Sequence, residues 1–376
     1  MIYLDNAATT LRKPRAVRRE CARCLKHYCA NSGRGGHQKA FVASEKILEC
    51  RESLAQLFNI KSPEQIIFTH NTTHALNIAI RGILKPGLHA VITGMEHNSV
   101  LRPVAASGAD FSVAMPDELG TVSAESVEEM IRENTALIVV THASNITGTI
   151  NPIYEIGTVA KRHGIPFLVD AAQTAGVLPI DCEEDNISLL AFAGHKMLYG
   201  PTGTGGLYVS PSAEESIAPF VTGGTGSLSE SELQPDFLPD KFESGTMNIL
   251  GIAGLNEGVK FVSRLTPSQI ANDERRLTGQ LIDGLLGIRG LHIHGGKNRV
   301  GVVGFSMEGT DSVYLANALD EKYGIACRGG LHCAALAHKS MGTLKHGITR
   351  LSVSHFTTEN EIDKAVEAVK EIIKGV

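Results

Sequence analysis

The sequence predicts an α/β protein with a large domain built on a mostly parallel, seven-stranded sheet and a smaller α+β domain at the C-terminus. Short apolar runs alternate with amphipathic stretches from about residue 64 to 210, and this alternation is typical of parallel sheets covered by helices. The length of 376 residues fits one large and one smaller domain. We expect the large domain at 1–250, with about its first 15 residues packing on the small domain, and linking helices with the small domain at 251–376.

Seven apolar runs predict the strands of the large sheet. The run ALIVVTH at 136–142 is apolar on both faces, as strands are when helices cover both sides of a parallel sheet. The other strands are predicted near 66–68, 89–93, 110–114, 166–170, 188–194 and 205–210. Amphipathic spacing between the strands predicts helices near 72–84, 100–106, 123–134 and 152–164.

The rest of the chain predicts a long loop, two long helices and the small α+β unit. Residues 222–245 are rich in Gly, Ser, Pro and acidic residues, and a loop of this length suggests a function. Helical spacing covers about 248–264 and 267–286. The α+β unit has strands predicted near 291–294, 300–307 and 349–353, with helices near 311–322 and 358–374.

Composition and charge exclude several classes of protein. A net charge of -5 gives no basic surface for nucleic acid, and no apolar run approaches the ~18 residues of a membrane span. Seven cysteines in a long chain are typical of free thiols in a reducing compartment. Cys21, Cys24 and Cys29 lack a second pair at zinc spacing, so we expect no metal site. Without a signal-peptide pattern, we expect a cytoplasmic protein.

A lysine follows one predicted strand at the edge of the sheet where ligands bind. In parallel sheets, ligands bind beyond the carboxyl ends of the strands, and Lys196 lies there in FAGHKMLYGPTGTGG, 192–206. Burial lowers the pKa of a lysine and makes its amine competent to form a Schiff base. A surface lysine beside a Gly-rich turn explains this segment equally well.

The same edge carries an acidic residue and a pair of threonines. Asp170 ends a predicted strand, where a carboxylate could hold a metal, a ribose or the pyridinium nitrogen of pyridoxal phosphate (PLP). Thr72 and Thr73 begin a predicted helix, whose free first-turn amides favour a phosphate group. Helix capping explains all three residues without a ligand.

One cysteine stands apart from the other six. Cys333 lies in CRGGLHCAA, 327–335, with His332 before it and Arg328 nearby. Positive neighbours and a helix start favour the thiolate form of a cysteine, which is the nucleophilic form. A buried structural cysteine is the usual alternative, but the paired glycines and polar neighbours argue against a core position.

Taken together, these signals describe a PLP site, and the chain resembles the cysteine desulfurase and selenocysteine lyase family, in the class V branch of the aminotransferase-like PLP enzymes. The resemblance covers nearly the whole chain and implies the fold of the PLP-dependent transferases. Its motifs are YLDNAATT (3–10), NSGRGGH (31–37), FTHNTTHALN (68–77), EHNSVLRP (96–103), SNITGT (144–149), VDAAQTAG (169–176), GHKMLYGPTGTGGLYV (194–209), FESGTMN (242–248) and RGGLHCA (328–334).

The resemblance implies a role for each matching cofactor residue. Lys196 would form the Schiff base with PLP and move protons at the substrate's Cα, while His97 would stack on the ring and act in acid–base steps. Asp170 would pair with the pyridinium nitrogen, and Gln173 would contact the phenolic oxygen. The remaining cofactor contacts would come from Thr72, Thr73, Asn145, His195 and, in the neighbouring subunit of a homodimer with shared active sites, Thr246.

It also implies how the substrate is held and used. Arg350 would bind the substrate carboxylate through two hydrogen bonds, with Asn145 and Arg328 as further substrate contacts. Cys333 would attack the sulfur of L-cysteine and become a persulfide, releasing L-alanine. The short spacing from Arg328 to Cys333 resembles the subgroup that acts with a separate sulfur-acceptor protein or on selenocysteine.

The sequence departs from the family pattern at three places. Ala193 stands where a hydroxyl residue usually binds the phosphate, three residues before the lysine. The loop TGGTGSLSESE differs from the usual Gly-rich segment, and the chain begins almost directly at YLDNAATT. These departures indicate a divergent subfamily with an unassigned natural substrate.

The expected function is therefore that of a PLP-dependent L-cysteine desulfurase supplying sulfur for Fe–S clusters or thio-cofactors. Selenocysteine lyase is the nearest alternative. A class V aminotransferase acting on another amino acid and a non-catalytic carrier of persulfide or PLP are the others. The set of Lys196, Asp170, His97 and Arg350 argues against a carrier, since a carrier has no need to bind a substrate carboxylate.

Overall fold

The computed structural model describes residues 1–33 and 36–374. Arg34 and Gly35, within the NSGRGGH motif, and the last two residues of the predicted small domain lie outside this described part. The helices are α1 (Arg15–His27), α2 (Gln38–Leu57), α3 (Thr72–Ile83), α4 (Asn98–Ala106), α5 (Ala124–Glu128), α6 (Ile153–His163), α7 (Pro211–Glu214), α8 (Ile249–Leu265), α9 (Pro267–Leu285), α10 (Ser312–Tyr323), α11 (Ala335–Ser340) and α12 (Glu359–Lys374).

A seven-stranded sheet forms the centre of the larger part of the molecule. Its strands are β2 (Ile66–Thr69), β3 (His89–Thr93), β4 (Asp110–Ala114), β5 (Thr135–Thr141), β6 (Phe167–Asp170), β7 (Leu189–Ala193) and β8 (Gly205–Val209). The spatial order is β2-β8-β7-β6-β5-β3-β4, and only the two pairings of β8 are antiparallel. The predicted fold class, with a mostly parallel sheet of seven strands, is confirmed.

A second, antiparallel sheet follows in the C-terminal part, in the order β12-β13-β10-β9. A separate core of aliphatic side chains lies between this sheet and helices α9, α10 and α12. The N-terminal strand β1 pairs in parallel with β11, so the start of the chain lies against this C-terminal part. The strands are β1 (Ile2–Tyr3), β9 (Leu291–His294), β10 (Val302–Met307), β11 (Ile325–Ala326), β12 (Arg328–Gly330) and β13 (Ile348–Ser352).

Several elements differ from the sequence prediction. The helix predicted at 123–134 ends at Glu128, because the next amides bond three residues back and the Arg132 amide donates to Thr135 at the start of β5. The sequence does not predict the short strands β1, β11 and β12. Two or three residues are too few to show a hydrophobic period, and these strands form only through pairing with their partner strands. Residues 215–248 form turns and irregular structure, as expected for the loop at 222–245.

The described part of the chain contains neither a candidate membrane span nor a candidate metal centre. Within 1–33 and 36–374, no helix is both long enough and apolar enough to cross a membrane. In that part of the chain, no three His, Cys, Asp or Glu side chains are grouped so that they could hold a metal ion.

Candidate active site

A cavity lies at the carboxyl ends of the parallel strands, where the sequence places its candidate residues. We call it the Lys196 cavity, and its lining includes eight of the predicted site residues: Thr72, Thr73, His97, Asn145, Asp170, Gln173, His195 and Lys196. They meet because they lie at the ends of five strands of one sheet, β2, β3, β5, β6 and β7, and those strand ends share an edge. The other predicted residues, Cys333, Arg328, Arg350 and Thr246, do not line it.

Lys196 lies three residues beyond β7, with its amine among these side chains. Burial lowers the pKa of Lys196 to about 8, and the nearby charge of Asp170 partly opposes that shift. At pH 7 about a tenth of the amine is therefore uncharged, which is the nucleophilic form. A surface position for this lysine is ruled out by its place in the cavity.

Asp170 ends β6 and is almost completely buried. Its Oδ1 accepts a hydrogen bond from the Ala172 amide at 2.9 Å. The following residues form turns rather than a helix, so Asp170 does not cap a helix as the alternative interpretation requires. Burial raises the pKa of Asp170, whereas the Ala172 amide and Lys196 lower it.

The beginning of α3 presents unused polar groups to the cavity. Asn71, rather than either threonine, caps the helix, because its side chain accepts from the His74 amide at 2.9 Å. The Oγ1 of Thr72 is buried and has no hydrogen-bond partner among the described residues. A buried hydroxyl beside free helix-end amides is suited to an anionic ligand.

Ser99 is a cavity residue that the sequence analysis missed. Its hydroxyl lies 2.8 Å from the Thr73 hydroxyl and 2.9 Å from Nδ1 of His97. Ser99 thus adds a hydroxyl to the threonine side of a site where Ala193 offers none. Its position two residues after His97, at the start of α4, was the signal available in the sequence.

His97 is held in one tautomer. The Ser99 amide donates to Nδ1 of His97 at 3.1 Å, so the ring proton of the neutral imidazole lies on Nε2. Burial lowers the pKa of His97 to about 4, and the charges of Lys196, Arg350 and Arg102 lower it further. The ring is therefore neutral at physiological pH.

The N-terminal segment contacts two residues that line the cavity, Gln173 and His195. Gln173 donates to the Ala7 carbonyl at 3.1 Å, and Nδ1 of His195 lies 3.1 Å from the Thr9 hydroxyl. Lys13 donates to the His195 carbonyl at 2.8 Å. These contacts orient residues on both sides of Lys196 through a part of the chain far from it in sequence.

Arg350 lies in β13, behind Asn145, and is almost fully buried. Its Nη1 donates to the Asn145 carbonyl at 3.0 Å, and its Nη2 donates to Oδ1 of Asp5 at 2.7 Å. Arg328 donates to the other oxygen of Asp5 at 2.8 Å. Asp5 is a second residue that the sequence analysis did not identify.

Cys333 is exposed, and its backbone is anchored to the rim of the cavity. The Asn98 amide, next to His97, donates to the Cys333 carbonyl at 2.7 Å. The Asn145 side chain donates to the His332 carbonyl at 2.9 Å. Both His332 and Cys333 have left-handed backbone, with φ of 48° and 55°, so these hydrogen bonds maintain a conformation that side-chain-bearing residues rarely adopt.

Thr246 does not reach the Lys196 cavity of its own chain. It is exposed and lines a neighbouring pocket together with His70, His74 and Gly203. The two histidine rings stack with their centroids 5.2 Å apart. The structure therefore separates Thr246 from the other predicted cofactor residues within one chain.

Comparisons with known proteins agree with one another over the whole chain. The family model for aminotransferase class V matches residues 2–365. A probable cysteine desulfurase from Methanothermobacter thermautotrophicus is 36% identical, over 99% of this chain and 94% of that protein. A cysteine desulfurase from Escherichia coli O8 is 33% identical, over 99% of this chain and 93% of that protein.

Solved structures give the same result. The apo structure of a cysteine desulfurase from Thermococcus onnurineus has a TM-score of 0.92 and 32% identity, covering 100% of this chain and 95% of that one. A cysteine desulfurase structure from Escherichia coli has a TM-score of 0.88 and 27% identity, covering 100% of this chain and 95% of that one.

Proposed function

Because the chain belongs to the class V aminotransferase family, whose members depend on PLP, we propose that it is an L-cysteine desulfurase with Lys196 as the cofactor lysine and Cys333 as the sulfur acceptor. Its curated relatives and structural neighbours are cysteine desulfurases. One observation carries the assignment of Cys333. The backbone that carries an exposed thiol is anchored, through Asn98 and Asn145, at the rim of the cavity that holds Lys196.

The donor groups of the cavity fit PLP. The unpartnered Thr72 hydroxyl and the start of α3 suit a phosphate group. The Asp170 carboxylate suits a pyridinium nitrogen, and the amine of Lys196 suits an aldehyde carbon. We therefore propose that Thr72, Thr73 and His195 hold the phosphate, with Asn145, Gln173 and the neutral ring of His97 around the pyridine.

When bound, PLP supplies an electron sink for the carbanion formed at the substrate's Cα. Arg350 holds the substrate carboxylate, and this fixes the orientation of the Cα–H bond toward the amine of Lys196. With a pKa of about 8, that amine can accept the Cα proton and return it near neutral pH.

The sulfur step then belongs to Cys333. Its thiolate attacks the sulfur of the substrate, forming an S–S bond while the C–S bond breaks. The electron pair of the C–S bond stays on the carbon skeleton, which takes up protons and leaves as L-alanine. The product on the protein is a persulfide, and its exposed position is accessible to the thiol of a separate acceptor protein.

The assay for this function measures two products from the purified, PLP-loaded protein. With L-cysteine and a reducing thiol, we expect sulfide and L-alanine to form in equal amounts, because each transferred sulfur leaves one alanine behind. L-serine serves as the matched control substrate, since its oxygen offers a thiolate no comparable reaction. Formation of pyruvate or a keto acid in place of alanine would contradict the assignment.

We also infer that the enzyme is a homodimer with shared active sites. Thr246 is exposed and lies outside the cavity of its own chain, so its proposed cofactor contact requires a second copy. The chain has a mass of 40.1 kDa, and sedimentation of the PLP-loaded protein is expected to give twice that mass. A species of a single chain mass that is fully active would contradict this inference.

The seven cysteines support a reducing location. All seven are free thiols in the part of the chain that the structure describes. This pattern is typical of cytoplasmic proteins, and we propose the cytoplasm as the site of the reaction. Separation of cell fractions would check this, and recovery of the protein outside the cytoplasm would contradict it.

A further inference from the structure

Asp5 joins two arginines next to the proposed substrate site. Its Oδ1 accepts from Arg350 at 2.7 Å, and its Oδ2 accepts from Arg328 at 2.8 Å. The arginines are direct register partners in the antiparallel pair of β12 and β13. Like charges directly opposite each other destabilise such a pair, and Asp5 offsets one of the two positive charges.

The backbone around Asp5 is fixed, so its carboxylate cannot easily withdraw. The Leu4 amide donates to the Ala326 carbonyl at 2.8 Å, and the Ser352 amide donates to the Leu4 carbonyl at 2.7 Å. Asp5 itself bridges to Ser352. The backbone thus holds Asp5 beside both arginines, and we call the three charged side chains the Asp5 cluster.

The Asp5 cluster carries one unbalanced positive charge. Two guanidinium groups and one carboxylate leave a net charge of +1, and Nε of Arg350 is buried with no hydrogen-bond partner among residues 1–33 and 36–374. One additional carboxylate would neutralise the cluster and could accept a hydrogen bond from this free N–H group. A second additional carboxylate would meet an already neutral cluster in a partly buried place, where an unpaired charge is costly.

We propose that Asp5 is a specificity-determining residue, which limits the substrate site to amino acids with a single carboxylate. The proposal rests on the proposed function in one respect, because it takes Arg350 as the group that binds the substrate's α-carboxylate. Asp5 acts through the two arginines rather than through the substrate, so it is a positioning residue. Its charge, rather than its shape, makes the selection.

The test compares two ligands in the Asp5→Asn variant. L-alanine and L-aspartate are titrated into the PLP-loaded protein, and their dissociation constants are measured from the change in the cofactor's absorbance. Asp5→Asn raises the cluster charge to +2, so the affinity for L-aspartate relative to L-alanine is expected to rise on the order of tenfold. Asp5→Glu keeps the charge and is expected to keep the wild-type ratio.

Two further variants make the result interpretable. Glu361→Gln removes a carboxylate from the exposed pair with Arg12, away from the cluster, and should leave the ratio unchanged. Arg328→Gln lowers the cluster charge to zero and should shift the ratio against L-aspartate. Thermal melting shows whether each variant folds. If Asp5→Asn does not fold, Arg328→Gln provides the test.

The outcomes separate this inference from the proposed function. Equal weakening of both ligands in Asp5→Asn, or an unchanged ratio in Arg328→Gln, would show that Asp5 is only structural. If the affinity ratio shifts but the protein makes no alanine from L-cysteine, the proposed role of Asp5 is supported and the desulfurase assignment is contradicted. If wild type binds neither ligand, Arg350 is not the carboxylate site and the inference falls.

Discussion

Replacing Lys196 with methionine is expected to abolish both the visible absorbance of lysine-bound PLP and the release of alanine from L-cysteine. Methionine has nearly the length of lysine but no amine, so neither a Schiff base to the protein nor proton transfer at Cα is available. The loss of activity is expected to be on the order of 1,000-fold or more. Spectra of the purified variant and the alanine assay measure both effects.

The same substitution tests the state of the lysine in the protein without cofactor. The pKa of Lys196 falls from 10.5 to about 8 on folding. Between these values the unfolded chain binds one more proton than the folded one, so the stability of the wild-type apo-protein rises with pH there. Below about pH 8 the folded protein carries the full cost of a buried ammonium group.

Lys196→Met removes that cost. Its free energy of unfolding relative to wild type is therefore expected to fall by about 2 kcal/mol between pH 7 and pH 10.5, after allowing for water in the cavity. Denaturant unfolding of both apo-proteins at the two pH values gives the number. Lys161→Met, at an exposed position in α6, is the control and should change neither spectrum nor pH dependence. A Lys196→Met protein with the absorbance band intact would reject the site.

Replacing Cys333 with alanine is expected to abolish sulfide release from L-cysteine while leaving the bound PLP and its spectrum unchanged. The thiolate is needed to accept the sulfur, whereas the thiol does not line the Lys196 cavity. We expect a loss on the order of 100-fold or more, because the alternative is attack by a thiol from solution that the protein does not position. Sulfide and alanine assays with L-cysteine measure the loss.

A second cysteine in the same segment gives a matched control. Cys327 directly follows β11, and burial raises its pKa to about 12, so its thiol is a poor nucleophile. Cys327→Ala should retain desulfurase activity. If Cys333→Ala keeps its activity on L-cysteine, the assignment of Cys333 as the sulfur acceptor is wrong. If it loses activity on L-cysteine and still releases selenide from L-selenocysteine, both substrates share the site and only sulfur transfer requires Cys333.

Much of the site could be predicted because it follows the strand ends of one sheet. Asp170 ends an apolar run, and His97, Asn145 and Lys196 each come a few residues after one, and parallel strands bring such positions to one edge. The family motifs then assigned the expected roles. At the start of α3 the structure differs from the sequence interpretation in one detail, because Asn71, and not Thr72 or Thr73, caps the helix.

Other contacts could not be predicted from local patterns. Ser99 becomes a site residue only because α4 packs beside α3, which brings its hydroxyl within hydrogen-bond distance of the Thr73 hydroxyl. The anchors of the cysteine segment join residues far apart in sequence, such as Asn98 with Cys333. Hydrophobic periodicity reports which face of an element is buried, but it does not report which distant hydrogen bonds form there.

The sequence by itself determined the fold class, the seven strands of the large sheet and the lysine, acid and cysteine around which the chemistry is proposed. It could do so because apolar periodicity and strand-end positions are local properties of the chain. Only the tertiary structure placed Asp5 between Arg328 and Arg350, more than 300 residues away. That contact depends on the pairing of β1 with β11, and two-residue strands are too short to show a periodic pattern in the sequence. The charge of the proposed substrate site therefore depends on tertiary packing.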